Sequence, residues 1–205
     1  MTTAGEIFGN PVPRRITLET LDFFIEPDWT VDLLLDAEDF PATIWDPACG
    51  SGTIVKRCIA RGLEAVGSDI AGRAFGGVQD FLAPEYDFIN VATIMCNPPY
   101  KIADQFITRA LTVATNKVAM LVQAKFPYSQ RRHALFSKCP PARLYFLSTR
   151  PSMPPGEKLL AGTVEAKGGK LDYLWMVWDS QHSGPTECRW LRKSPPVLFY
   201  EGRKP

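Results

Sequence analysis

Thr43-Ile44-Trp45 runs into Asp46-Pro47-Ala48-Cys49-Gly50-Ser51-Gly52 and then into a helical pattern from Thr53 to Gly62, with Ile54, Val55, Cys58 and Ile59 on one face. A short apolar strand, a glycine turn and a helix constrain the fold more than any other segment here. Glycine is required where backbone takes positive φ or approaches a ligand closely, and the resulting crevice opens at the carboxyl end of the strand. An ordinary βα turn would read the same way in isolation. The next segment, Glu64-Ala65-Val66-Gly67-Ser68-Asp69-Ile70, reads as a second strand ending in an acid. It lies about twenty residues beyond the glycines, where a carboxylate can accept both hydroxyls of a ribose. The glycine segment lacks the G-x-G-x-x-G form of a dinucleotide site, and Asp46 would repel a pyrophosphate. An acid beside a cationic ligand is favourable instead.

A second segment carries the chemistry. The apolar run Val91 to Cys96 leads into Asn97-Pro98-Pro99-Tyr100, and a helical pattern follows from Ile102 to Leu111. An exocyclic amine on a base is a poor nucleophile because its lone pair is delocalised into the ring. If the side-chain oxygen of Asn97 and the carbonyl of Pro98 each accept one amine hydrogen, the nitrogen is drawn towards sp³ geometry. Positive charge develops on it during attack, so two placed acceptor dipoles favour the transition state over the ground state. Successive prolines stiffen the loop and remove two competing backbone donors. Tyr100 offers a ring face for a base, a contact worth roughly 1–3 kcal/mol.

The two segments together resemble the S-adenosylmethionine-dependent amino-methyltransferases, and most of all the adenine-specific DNA methyltransferases of prokaryotic or phage type. The resemblance covers roughly residues 22–180. It implies a Rossmann-like class I methyltransferase fold: α/β, a mostly parallel seven-stranded sheet with helices on both faces and an antiparallel last strand. It implies S-adenosylmethionine as cofactor, held by Asp46, Pro47, Ala48, Cys49, Gly50 and Gly52 at the methionine end. Asp69 with Ile70 would take the ribose, and Asp80 with Phe81 the adenine. Phe24-Ile25-Glu26-Pro27 resembles the family's aromatic-x-Thr-Pro segment that helps to hold the cofactor, with Glu26 in place of the usual Thr. Asn97, Pro98, Pro99 and Tyr100 would be catalytic, with Asn97 also beside the cofactor. The implied reaction is methyl transfer to the 6-amino group of adenine in DNA, of the kind used in restriction-modification. The base would be flipped from the stack and seated between Tyr100 and an apolar wall that includes Phe126 or Trp29, so single strands should react at least comparably with duplex. Asn at the first loop position favours adenine over cytosine by family analogy.

Charge supports an acidic partner. Residues 1–116 carry a balance of −8 and residues 117–205 a balance of +9, which a net +1 conceals. Tyr100, Lys125, Phe126, Arg131, Arg132, Arg150 and Lys158 are the candidate substrate contacts, and Lys138 and Arg143 belong to the same basic stretch. The five cysteines show no paired spacing and the two histidines stand alone, so neither zinc nor a disulfide framework is expected. Cys49 and Cys96 are expected to pack beneath the cofactor rather than to react. With no apolar stretch long enough for a membrane span and no signal pattern at Met1 to Pro13, a single domain over 1–205 is expected in the cytoplasm of a prokaryotic or phage-infected cell, as a monomer or homodimer.

Further patterns give a helix over Val31 to Asp36, strands over Lys117 to Lys125, Arg143 to Ser148 and Leu174 to Asp179, and a helix over Gln130 to Lys138. Arg150 to Lys170, rich in Pro, Gly and Lys, is too long for a plain connection and reads as a substrate clamp or a disordered loop. No stretch large enough for a separate target-recognition domain follows Asp179. Short or relaxed sequence specificity is therefore expected, set by residues 150–170 and by the tail around Arg189, Arg192 and Lys193. Adenine in RNA and a protein glutamine amide remain alternative acceptors. So does a silent binding module, although Asp69 and Asn97 are both present.

Overall fold

The computed structural model describes residues 22–73, 75–83 and 91–193; the Met1 to Pro13 reading lies outside them. In chain order the elements are helix α1 (Asp28–Ala37), strand β1 (Ile44–Asp46), α2 (Thr53–Ala60), β2 (Ala65–Asp69), β3 (Gly77–Val78), β4 (Val91–Cys96), a 3₁₀ turn at Tyr100–Ile102, α3 (Ala103–Val113), β5 (Ala114–Gln123), α4 (Gln130–Lys138), β6 (Arg143–Leu147), α5 (Gly156–Leu160), β7 (Tyr173–Asp179) and β8 (Glu187–Leu191). The strands form one sheet in the order β3-β2-β1-β4-β5-β7-β6-β8.

Period-two alternation explains why both faces of this sheet are covered. Ile94 and Cys96 of β4, Met120 and Val122 of β5, and Leu174, Met176 and Trp178 of β7 join one core, with Phe106, Ile107 and Ala110 of α3 and Leu135 of α4 above them. The intervening Met95, Ala119, Leu121, Trp175 and Val177 point into the other core, under Val31 and Leu34 of α1 and Ile54 and Cys58 of α2. Trp175 also donates its indole N–H to the carbonyl of Thr30 at 2.9 Å, so the burial of this polar ring atom leaves no unmet donor.

β1 pairs in parallel with β2 and β4, and β4 with β5. β7 runs antiparallel to both β5 and β6. The seven expected strands are joined by β8, which pairs in parallel with β6 at the sheet edge. The edge position explains why no apolar pattern marked it: Cys188, Arg189 and Trp190 are all exposed. The strand order reverses between β1 and β4, and that switch point leaves a crevice at the carboxyl ends of the two strands. Both sequence motifs lie at those ends.

The 150–170 segment is ordered and contains α5. It folds back on residues 22–26: Ile25 N–H donates to Pro154 O at 3.2 Å, Gly156 N–H to Phe23 O at 2.8 Å, and Phe24 forms an antiparallel bridge with Pro155. No helix among the described residues is long and apolar enough to cross a membrane.

Candidate active site

Asp46 ends β1, and the chain then turns sharply back. Gly50 and Gly52 take φ values of 51° and 82°, in the left-handed region where a Cβ is strained. A Cβ on Gly50 would also stand 2.5 Å from the ring of Phe23, and one on Gly52 2.4 Å from the ring of Phe75. Gly50 N–H donates to Asp69 Oδ2 at 3.0 Å, which ties the turn to the end of β2. Both motif glycines are thus required by conformation and by space.

A pocket opens between this turn and Asn97-Pro98-Pro99-Tyr100. Its walls include Glu26, Asp46, Pro47, Ala48, Cys49 and Gly50 on one side, Asp69, Ile70, Asp80 and Phe81 on a second, and the whole Asn97 to Tyr100 loop on a third. Two expected cofactor residues are not among them. Gly52 caps the start of α2 and Pro27 caps the start of α1. Pro27 instead accepts from the backbone and hydroxyl of Thr30.

Asn97 is held firmly. Its Nδ2 donates to Glu26 Oε2 at 2.9 Å and to Phe24 O at 3.2 Å. The opposite amide orientation would set an oxygen against two acceptors, so the hydrogen-bond network assigns Nδ2 to that side. Oδ1 is left buried with no hydrogen-bond partner, as is the hydroxyl of Tyr100. An unsatisfied buried acceptor costs about 1–3 kcal/mol and marks a place where a donor belongs.

Carboxyl groups are concentrated in the pocket. Burial pushes the Asp46 carboxyl well above the usual carboxylate range, and the neighbouring Glu26 and Asp69 push it further. Burial also raises Glu26, although bonds from Asn97 and Thr53 partly offset it. Glu26 and Asp46 are 7% and 2% exposed, so water relieves neither. Among the described residues the one cation lining the pocket is Arg73, which donates to Asp69 Oδ1 at 2.8 Å and lies over the Phe23 ring at 4.4 Å. Asp69 accepts from Gly50 N–H, Ala71 N–H and Arg73. A carboxylate offers about four acceptor sites, so one remains here unless Arg73 leaves. The pocket is also tight, with a volume of about 40 Å³. Phe23 stands over Gly50 and Arg73 over Asp69.

The thiols in the motifs are disfavoured as thiolates. Burial, with Asp46 and Asp69 nearby, pushes the Cys49 thiol up to about 12. Cys96 is raised as well, first by burial and then by Asp46.

Tyr100 stands at a corner between three recesses. Phe24 stacks on its ring at 5.4 Å with planes 16° apart, so one face is already covered. Burial and the neighbouring Tyr173 raise its phenol. Beyond it, a small recess gathers Tyr100, Gln123, Lys125, Phe126 and Arg132 at the end of β5. Arg132 lies 4.0 Å over the Phe126 ring and donates from Nη1 to Phe126 O, while its Nε is buried without a partner. A larger groove of about 390 Å³ runs from Tyr100 and Gln123 along Pro151 to Pro155 and Val164 to Leu171.

The other expected substrate contacts are dispersed. Arg131 pairs with Asp104 at 2.6 Å and Arg150 with Asp172 at 2.8 Å. Lys158 is exposed on α5 and lines none of these recesses. Arg143 is buried against Glu38 and Asp179 and cannot reach a phosphate. Trp29 packs on the α1 side of the sheet, under Lys193 at 5.4 Å, and is no part of the wall beside Tyr100. Sequence reading missed Phe23, Arg73 and Gln123. Arg73 had one signal, its position four residues after Asp69.

Neither a family model nor a curated protein matches this sequence. Solved structures do. A modification subunit of a putative type I restriction enzyme from Vibrio vulnificus YJ016 aligns with a TM-score of 0.55 and 14% identity over 89% of this chain, which spans 49% of that one. A putative RNA methyltransferase from Pyrococcus horikoshii aligns with a TM-score of 0.57 and 15% identity, over 86% of this chain and 93% of that one. The order β3-β2-β1-β4-β5-β7-β6, the antiparallel β7 and these likenesses together identify the class I methyltransferase fold.

Proposed function

We propose that this protein transfers a methyl group from S-adenosylmethionine to the 6-amino group of adenine in DNA. The observation that carries the proposal is the buried, unpartnered Oδ1 of Asn97, held at the wall of a pocket rich in carboxylates. The donor set fits the cofactor. Glu26 and Asp46 are disfavoured as anions in the free protein and gain from a cationic ligand, and Asp69 supplies an acceptor for a ribose hydroxyl. When bound, the cofactor supplies an electrophilic methyl group on a sulfonium.

Everything else falls to the chain. Asn97 Oδ1 accepts one hydrogen of the target amine and Pro98 O the second, which aims the nitrogen lone pair away from the loop. The positive charge that grows on the nitrogen meets two dipoles already in place, so no reorganisation is needed during the step; as the carbon–nitrogen bond forms the carbon–sulfur bond would break to leave a neutral thioether, and the surplus amine proton would pass to water. Lys125 and Arg132, which line the recess beside Tyr100, supply donors to the base or its phosphate. The neighbour from a type I restriction enzyme, a modification subunit, supports a DNA acceptor. The Pyrococcus neighbour, a putative RNA methyltransferase, supports adenine in structured RNA as the second reading.

The test is transfer of labelled methyl from S-adenosylmethionine to unmethylated duplex DNA, single-stranded DNA, RNA and a translation release factor in parallel, with the products digested and weighed. Label recovered as 6-methyladenine in DNA, at least as much from single strands as from duplex, is the expected outcome. Asn97→Ala should then lower kcat by about 10²–10³-fold with cofactor affinity nearly intact. Label only in RNA or in a glutamine amide would replace the acceptor, and loss of cofactor binding with Asn97→Ala would remove the role of Oδ1.

A further inference from the structure

Glu26 makes the shortest polar contact to Asn97, and it comes from a segment far away in sequence. Three observations bear on what that contact does. Glu26 Oε2 accepts from Asn97 Nδ2 at 2.9 Å, and Phe24 O accepts from the same nitrogen at 3.2 Å, so both amide hydrogens are committed. The carboxylate is 7% exposed, in surroundings where an ionic hydrogen bond is little screened. Oδ1, at the other end of the amide, is buried and empty.

We infer that Glu26 is a positioning residue for Asn97, whose carboxylate both locks the amide with Oδ1 towards the acceptor amine and polarises it. An anion on the N–H side draws the amide towards its charge-separated resonance form and places more negative charge on Oδ1. The same hydrogen bond thus strengthens the acceptor that meets the developing cation. This rests on the methyl-transfer reading above and adds a role that the lining of the pocket alone does not give. A Thr in this position could orient the amide but would carry no charge.

The groups facing Glu26 are Asp28 of α1, Asp46 at the end of β1 and Cys49 after it, Thr53 of α2, and Cys96, Asn97 and Tyr100 at and after the end of β4. None of these is a cation, so the ionisation of Glu26 is disfavoured in the free protein and its loss should be visible as pH falls.

Two measurements test the inference. The first needs no substrate: the side-chain amide resonance of Asn97, assigned by its disappearance in Asn97→Ala, is followed against pH. It should move as Glu26 titrates, and that movement should vanish in Glu26→Gln. A resonance indifferent to pH and to Glu26→Gln overturns the inference. The second is turnover at saturating cofactor. Glu26→Ala should lower kcat about a hundredfold, while Glu26→Gln, which keeps an acceptor but not the charge, should lose about tenfold together with the acid limb of the kcat profile. If both variants keep kcat and only raise KM for the cofactor, Glu26 is a cofactor ligand and the inference fails. If the wild-type protein methylates no acceptor, the proposed function fails, and the amide resonance alone decides the role of Glu26.

Discussion

Asp46 occupies a place that disfavours its own charge. Burial, Glu26 and Asp69 all raise its carboxyl, and the N–H of Ala48 and the thiol of Cys96 offset this only in part. The sign of the consequence follows from linkage. A carboxyl whose folded-state value lies above its unfolded one costs the fold least below the unfolded range, near pH 4, and the cost grows as pH rises towards the folded value. A cationic ligand works the other way, because it favours the ionised form. Affinity for S-adenosylmethionine should therefore rise with pH across this window, with protons released on binding. Calorimetry in two buffers of different ionisation enthalpy measures that release, and a binding heat independent of buffer would contradict it. Asp46→Asn removes the charge and keeps the shape. It should raise the stability of the free protein at neutral pH by about 1 kcal/mol and abolish cofactor binding, a trade common at functional sites. Thermal unfolding and calorimetry on the one variant test both halves.

Three elements meet over the pocket: the end of β2, the 22–26 segment and α5. Arg73 joins them, since it pairs with Asp69, lies over Phe23 and stands 3.9 Å from Glu157 at the start of α5. Asp69 has most of its acceptor sites taken in this arrangement, so Arg73 competes with a ribose. Arg73→Ala should tighten cofactor binding severalfold, whereas Asp69→Ala should weaken it by about tenfold or more, the worth of a hydrogen bond to a charged group; calorimetry distinguishes them. Equal weakening by both would make Arg73 part of the binding surface. The elements carrying Asp69 and Asn97 were legible in the sequence because each is a short strand followed by a glycine or proline punctuation, β4 buried over its last four residues and β2 only at Ser68 and Asp69, and Asp46-Pro47-Ala48-Cys49-Gly50-Ser51-Gly52 announced its turn. The covering of the pocket was not legible. Phe23, Phe24 and α5 form no periodic pattern, and their pairing spans more than a hundred residues, through single backbone bonds such as Gly156 N–H to Phe23 O. Arg150 to Lys170 read as an open loop for the same reason. Its order comes from that distant pairing and not from local propensity, which a five-residue α5 cannot supply.

Across the whole molecule the charge asymmetry divides into two kinds of cation. Lys117 of β5 and Arg143 of β6 are spent internally on Glu38, at the end of α1, and on Asp179, at the end of β7, with Tyr145 donating to Glu38 at 2.7 Å. Burial alone would raise the Glu38 carboxyl, but bonds from Arg143, Lys117 and Tyr145 hold it below its ordinary value, and Arg143 does the same for Asp179. Their contribution is present above the unfolded carboxylate range and is lost as pH falls through the folded values. Arg143→Ala should cost about 1.5–3 kcal/mol of stability, because Glu38 and Asp179 lose its charged hydrogen bonds while keeping Lys117 and, for Glu38, Tyr145, and leave the salt dependence of the proposed DNA binding unchanged. Lys125→Ala, in the recess beside Tyr100, should do the opposite, with stability nearly intact and the slope of log affinity against log salt reduced by about 1. Denaturant unfolding and salt-titrated binding of both variants separate the two classes, and exchange of the two phenotypes would reverse the assignment. The place of β7 in the sheet has a further result for how the protein is made. It is inserted between β5 and β6 although it follows both in the chain, and its Met176 and Trp175 sit opposite Met120 and Leu121 of β5. The β5 edge facing away from β4 is therefore bare until β7 has been made, and during synthesis the apolar Val118 to Val122 row has no lasting neighbour on that side. Such late, long-range closure slows folding and exposes the nascent chain to aggregation. The sheet beside the candidate site is therefore complete only once translation has passed β7.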